Sequence, residues 1–138
     1  MTDTHIWDKY YEGLYVEWIF SISEDEIQKF SDISGDKNPL HSDRLFAQSK
    51  GFKNPLVNGL LLSAQMSRLI GEEMPDKNSI IISIQMDFLL PCFPGDTLIF
   101  TSNLTSKSNS TNTYRCKCKI IRDEKTMCKG TVEAIWKP

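Results

Sequence analysis

Residues 58–75 read NGLLLSAQMSRLIGEEMP, with apolar side chains at positions 60, 61, 62, 64, 66, 69 and 70. As a helix, this segment is apolar around most of its circumference and needs cover on several sides. The rest of the chain can supply that cover, because everything after Asn78 has the composition of strands: 79–91 (SIIISIQMDFLLP), 97–106 (TLIFTSNLTS), 111–123 (TNTYRCKCKIIRD) and 125–138 (KTMCKGTVEAIWKP). In the third, Tyr114, Cys116, Cys118 and Ile120 alternate with Arg115, Lys117 and Lys119, the period of a sheet with one covered and one wet face. Pro94-Gly95-Asp96, the polar cluster 106–112 and Asp123-Glu124 separate these runs as hairpin turns, so the strands are expected to be antiparallel. The fold class that results is α+β, a curved antiparallel sheet wrapped around one central apolar helix. Such a sheet leaves edges exposed, and pairing two copies is a physical remedy, so a homodimer is expected.

The first half of the chain adds smaller pieces. Residues 14–22 (LYVEWIFSI) are aromatic and β-branched and predict a strand. Ser23-Glu-Asp-Glu26 is a capping box that starts a helix through Ile27, Phe30 and Ile33, ending near Gly35. Asp43 can cap a second short helix carrying Leu45, Phe46 and Ala47 and stopping before Gly51. At 138 residues, without repeat, linker or low-complexity tail, residues 1–138 are expected to form one domain.

Composition excludes several roles. With 25% charged residues and a formal charge of -2 there is no general attraction to nucleic acid or to an anionic membrane. No window approaches the roughly 18 apolar residues of a spanning helix, and no secretory leader pattern opens the chain, so a cytoplasmic protein is expected. Cys92, Cys116, Cys118 and Cys128 lack metal-binding spacing and read as buried thiols, and no metal is expected. Asn103-Leu-Thr and Asn109-Ser-Thr match the glycosylation pattern but read as polar hairpin chemistry.

The stretch that points to chemistry is Asp36-Lys-Asn-Pro-Leu-His41. Asn38 can bond nearby backbone N–H groups and Pro39 fixes its own φ while pushing Asn38 out of the helical region, so the segment is expected to fold back as a rigid loop. A carboxylate and an imidazole held close by backbone can take and give a proton near neutral pH.

Three runs carry a family resemblance: FSDISGDKNPLHSD, FAQSKGFKNPLVNGLL and MDFLLPCFPGDTL. Together they resemble the (R)-specific enoyl-CoA hydratases and the wider MaoC-like dehydratase family of hot-dog proteins. The most specific part is D-x-N-P-x-H, here Asp36 to His41. The resemblance implies a hot-dog fold and a hydro-lyase that adds or removes water across the 2,3 double bond of an acyl thioester. Its substrate would be carried on coenzyme A or an acyl carrier protein, with no other cofactor.

By the same resemblance, Asp36 and His41 are the catalytic pair and the Gly59 N–H receives the thioester carbonyl oxygen. Ser67 matches a helix serine near the pair; Asn38, through its turn, and Asn58, at the helix entry, are the other supporting candidates. One departure stands out. The family usually has V-H-G before the central helix, whereas this chain has Val57-Asn58-Gly59. Asn is a good helix N-cap and can leave the Gly59 donor in place, yet a neutral amide cannot carry charge as imidazole can. Lys50, Lys53, Arg68 and Lys77 are candidates to meet the carrier's phosphates or an acidic carrier protein. Two other roles remain on the same fold, a non-catalytic acyl-thioester-binding subunit and a thioesterase.

Overall fold

The computed structural model describes residues 3–138. Two of the three hairpin signals hold, at 106–112 and at Asp123-Glu124; Pro94-Gly95-Asp96 closes no hairpin, because the strands before and after it lie apart in the sheet and the chain crosses over between them. Strands β1 (Tyr15–Phe20), β2 (Ser79–Phe88), β3 (Leu98–Ser108), β4 (Thr113–Arg122) and β5 (Lys125–Trp136) form one antiparallel sheet in the order β1-β3-β4-β5-β2. Asn112, Asp123 and Glu124 take positive φ in the two tight turns, where Asn and Asp tolerate the left-handed region better than most residues.

Period-2 alternation puts Leu98, Phe100 and Leu104 of β3, Cys116, Cys118 and Ile120 of β4, and Val132 and Ala134 of β5 in the core. The four cysteines are free and buried, as their alternation with lysines implies for Cys116 and Cys118. Burial pushes the Cys116 thiol up to about 11 and the Cys118 thiol to about 12, so both stay protonated.

The helices are α1 (Asp3–Trp7), α2 (Glu24–Ser34), α3 (Arg44–Ser49) and α4 (Gly59–Arg68), the last continuing as a π-helical turn over Leu69–Glu73. The α2 capping box forms in both directions, with Glu26 N donating to Ser23 Oγ at 3.1 Å and Ser23 N to Glu26 Oε1 at 3.0 Å. Its apolar face is narrower than the sequence suggests. Ile27 is buried, but Ile33 is 86% exposed, because α2 lies on the rim of the fold and touches it along one line only.

Helix α4 is the central helix, with Leu62, Met66, Leu69 and Ile70 turned into the sheet. Its envelopment within one chain is incomplete. Leu60 is 71% exposed, Ala64 and Ser67 are exposed beside it, and the edge strand β2 leaves Ile80, Ile82 and Ile84 uncovered.

At the far end of the sheet, Trp7, Tyr10, Tyr114 and Trp136 pack together around the carboxylate of Asp76. Lys107 closes this cluster, lying 4.2 Å from the Trp7 ring centre and donating to the Trp7 and Tyr10 carbonyls. Of this cluster, helix α1 has no forecast in the sequence.

Candidate functional site

The loop after α2 is built from short-range bonds. Gly35 ends the helix in the left-handed region at φ 78, and Asp36 is then held on both sides. Ser31 Oγ donates to its carbonyl at 2.7 Å, and its own N–H donates to Ser34 Oγ at 3.1 Å. The carboxylate accepts the Asn38 N–H at Oδ1 (3.1 Å), and Asn38 Oδ1 in turn accepts the Leu40 N–H (3.0 Å). Two consecutive Asx turns thus deliver Pro39–His41 as one 3-10 turn, the rigid fold-back that Asn38 and Pro39 imply.

His41 is fixed from the other side. Its Nδ1 lies 2.8 Å from the Leu56 carbonyl oxygen, and Leu56 N donates back to the Leu40 carbonyl at 3.0 Å. A carbonyl can only accept, so the neutral ring carries its proton on Nδ1 and leaves the Nε2 lone pair free. Nε2 faces Asp36 Oδ2 across 3.9 Å. That gap is too long for a direct hydrogen bond and wide enough for a water oxygen to sit within reach of both atoms.

Two hollows meet at this imidazole. One, of about 380 Å³, is polar and takes Asp36, Asn38, Ser31, Gln28 and Glu24 into its wall. The other, of about 600 Å³, is apolar and runs past Phe52, Leu56, Gly59, Phe88 and Leu90. His41 lines both.

Gly59 is the first residue of α4. The earliest helical bonds run from Leu61 and Leu62 N–H to the Asn58 carbonyl, so the Gly59 amide precedes them at the positive end of the helix. Its lack of a side chain is used, since a Cβ there would come within 2.8 Å of the Phe88 ring. Behind the slot, the P-C-F-P-G-D turn is clamped. Asp96 Oδ2 accepts the Phe93 N–H at 2.9 Å and an Arg122 guanidinium N–H at 2.6 Å, which holds Pro91 and Cys92 in the slot wall.

Asn58 departs from its expected use. It occupies the N-cap position of α4 but makes no side-chain cap bond, because its Nδ2 reaches across to donate to Asp36 Oδ2 at 3.3 Å. The structure does not bring Ser67 to the pair. That serine is exposed on α4 and lines a separate groove with Leu60, Ala64 and Ile84.

Two of the four cations are engaged elsewhere. Arg68 pairs with Glu73 and stacks on Trp18, and Lys77 pairs with Glu72. Lys50 lies over the Phe46 ring, and Lys53 follows Phe52 at the rim of the apolar slot. Among the described residues no group of three or more His, Cys, Asp or Glu is gathered to hold a metal ion, and no helix is long and apolar enough to cross a membrane.

The profile of the MaoC like domain matches residues 14–125, most of the chain. The chain belongs to the MaoC-like family. Among its relatives is an (R)-specific enoyl-CoA hydratase of Aeromonas caviae, 38% identical over 81 residues, which are 59% of this chain and 60% of that protein. A 3-hydroxyacyl-[acyl-carrier-protein] dehydratase of Arabidopsis thaliana is 29% identical over 117 residues, 82% of this chain and 69% of that one. In three dimensions the chain superposes on the solved (R)-hydratase from A. caviae with a TM-score of 0.86 at 26% identity, covering 92% of this chain and 97% of that one. This likeness to a MaoC-like hydratase agrees with the five-stranded antiparallel sheet and its central helix α4.

Proposed function

We propose that this chain is an (R)-specific hydratase or dehydratase acting at the 2,3 double bond of an acyl thioester carried on coenzyme A or an acyl carrier protein. The observation that carries the reading is the free Nε2 of His41 facing Asp36 Oδ2 across 3.9 Å, beside an apolar slot that also contains the first amide of α4.

Hydration needs three things from the protein. A base must take a proton from water as its oxygen adds to C3, an acid must return a proton to C2, and the enolate charge on the thioester oxygen must be met by a donor. Asp36 and His41 handle the two protons, and the Gly59 N–H, assisted by the helix dipole, meets the oxygen. A donor in that role contributes about 2.7 to 4 kcal/mol to the barrier. The net addition of H and OH moves no electrons to an acceptor, so the reaction requires no redox cofactor, and N–H groups supply the polarisation.

Partner and setting belong to the same reading. A second copy of the chain would cover the Leu60 face of α4 and the uncovered isoleucines of β2, whose free edge suits antiparallel pairing about a two-fold axis. Four free, buried cysteines accord with a reducing, cytoplasmic setting.

The test is turnover of crotonyl-CoA by the purified protein, followed by loss of the enoyl absorbance. Asp36→Asn and His41→Ala each lower kcat/KM at least about a hundredfold with the melting profile retained. Equal rates in wild type and both variants reject these roles. The second reading, a non-catalytic acyl-thioester-binding subunit, draws on Asn58 standing where the family resemblance implies histidine. It predicts calorimetric binding of acyl-CoA by wild type without hydration, and a gain of turnover in Asn58→His.

A further inference from the structure

The apolar slot beside His41 has a neighbour. Between α4 and the edge strand β2 lies a second groove of about 440 Å³, with Ser63, Ala64 and Ser67 on its helix side and Ile84 and Met86 on its strand side. Leu60 and Phe88 line both hollows. Carbons of the Phe88 ring come within 2.8 to 3.1 Å of where a Cβ on Gly59 would stand, so the ring rests on that glycine and parts the slot from the groove.

The backbone that carries this ring is fixed. Phe88 is the last residue of β2, and the next two residues, Leu89 and Leu90, both donate their N–H to the Met127 carbonyl, at 2.8 and 3.1 Å. The groove beyond suits a hydrocarbon tail. None of the described residues lining it is charged, and the buried Ser63 turns its hydroxyl back to the Gly59 carbonyl at 3.1 Å.

With the thioester oxygen at the Gly59 N–H and C3 at the Asp36–His41 gap, the rest of the acyl chain continues into the apolar slot. The ring leans on the same glycine that receives the carbonyl, so a growing tail meets it after few carbons. Resting on the hydratase reading, we propose that Phe88 sets the acyl length: its ring is the end wall that restricts the protein to short-chain 2-enoyl thioesters, and the groove between α4 and β2 is the track a longer tail takes once the ring is removed. A second copy laid over Leu60 and Ile84 would roof that groove and make it a covered continuation of the slot.

The experiment compares wild type, Phe88→Ala and the double variant Phe88→Ala with Ala64→Leu, each as the full chain. Hydration of crotonyl-CoA and of octenoyl-CoA is measured, with calorimetric binding of butyryl-CoA and octanoyl-CoA beside it. Wild type is expected to favour crotonyl-CoA by about tenfold or more in kcat/KM, the size of effect that misfit of a few methylenes produces in an apolar pocket. Phe88→Ala raises the octenoyl-to-crotonyl ratio about tenfold or more, and Ala64→Leu, which fills the groove, takes that gain away. A general loss of packing would instead lower both rates together and leave the ratio unmoved. If Phe88→Ala does not fold, Phe88→Leu gives the same change of ratio with smaller amplitude.

Three results overturn the proposal and leave the hydratase reading standing: a wild type that hydrates both substrates equally well, a ratio unchanged in the Phe88 variants, or a gain that survives Ala64→Leu. Wild type that binds the thioesters without hydrating either substrate overturns the hydratase reading, and the ratio of the two calorimetric affinities then decides the wall by the same criteria. Absence of binding overturns both.

Discussion

At His41 the choice of tautomer is made by a carbonyl 15 residues further along the chain, and that choice decides which nitrogen faces the reacting gap. Residue identity alone could not decide it. The spacing of Asp36 and His41 is readable from sequence because Asx turns and a proline act within three or four residues. The partner of Asp36 on α4 is not, since Asn58 lies 22 positions away and its choice between capping the helix and meeting the carboxylate depends on how the two segments pack. Ser67 illustrates the same limit, because helical periodicity alone does not settle which hollow a position faces. Gly59 gives a prediction at this scale. In Gly59→Ala the new Cβ presses the Phe88 ring, which moves into the slot, so kcat/KM for crotonyl-CoA is expected to fall about tenfold or more. Adding Phe88→Leu relieves the contact, and the double variant recovers part of the loss; a strictly additive result removes the steric explanation.

Among the elements, α2 is the one whose boundaries can be read most directly, through Ser23, Glu26 and Gly35. Ser23→Ala removes the Oγ that accepts the Glu26 N–H, while the Ser23 backbone N–H keeps its bond to Glu26, and is expected to cost about 1 kcal/mol, seen as a lower urea midpoint. The attachment of α1 is the opposite case, assembled from residues more than 60 positions apart. Burial raises the Asp76 carboxyl, but donors from Trp136, Tyr10 and Asn78 outweigh it and leave it below its ordinary value of 3.8. Tyr10 is pushed the other way, up to about 12, chiefly by burial, and stays a donor. A carboxylate with a depressed folded value stabilises fully above its unfolded value and loses that contribution as pH falls through the folded one. Wild type is therefore expected to exceed Asp76→Asn in melting temperature by a constant margin between about pH 5 and 7, with the margin shrinking below about pH 4. A margin independent of pH would assign the effect to packing instead.

For the whole molecule, the antiparallel sheet, the two hairpins that join β3, β4 and β5, and the central helix follow from periodicity, turn residues and the breadth of the apolar surface on residues 60–70, whereas the Pro94-Gly95-Asp96 turn signal is used in a crossover and not in a hairpin. Strand order does not, and neither does the uncovered side of α4, because a helix apolar all round says how much cover it needs and not which chain provides it. The proposed dimer makes this measurable. Sedimentation is expected to give twice the chain mass, and Ile84→Lys on the exposed edge β2 to give the single mass. Persistence of the double mass in that variant would move the interface elsewhere.

The imidazole that borders a hollow walled by carboxylates and amides on one side and an apolar slot on the other gives the molecule two separate approaches to one side chain. On the hydratase reading, solvent can arrive from behind while the thioester occupies the front. A small polar compound lodged in the rear chamber would then starve the reaction of its second reactant without contesting the first. Raising the thioester concentration would not rescue the rate, and the inhibition pattern would be noncompetitive against acyl-CoA.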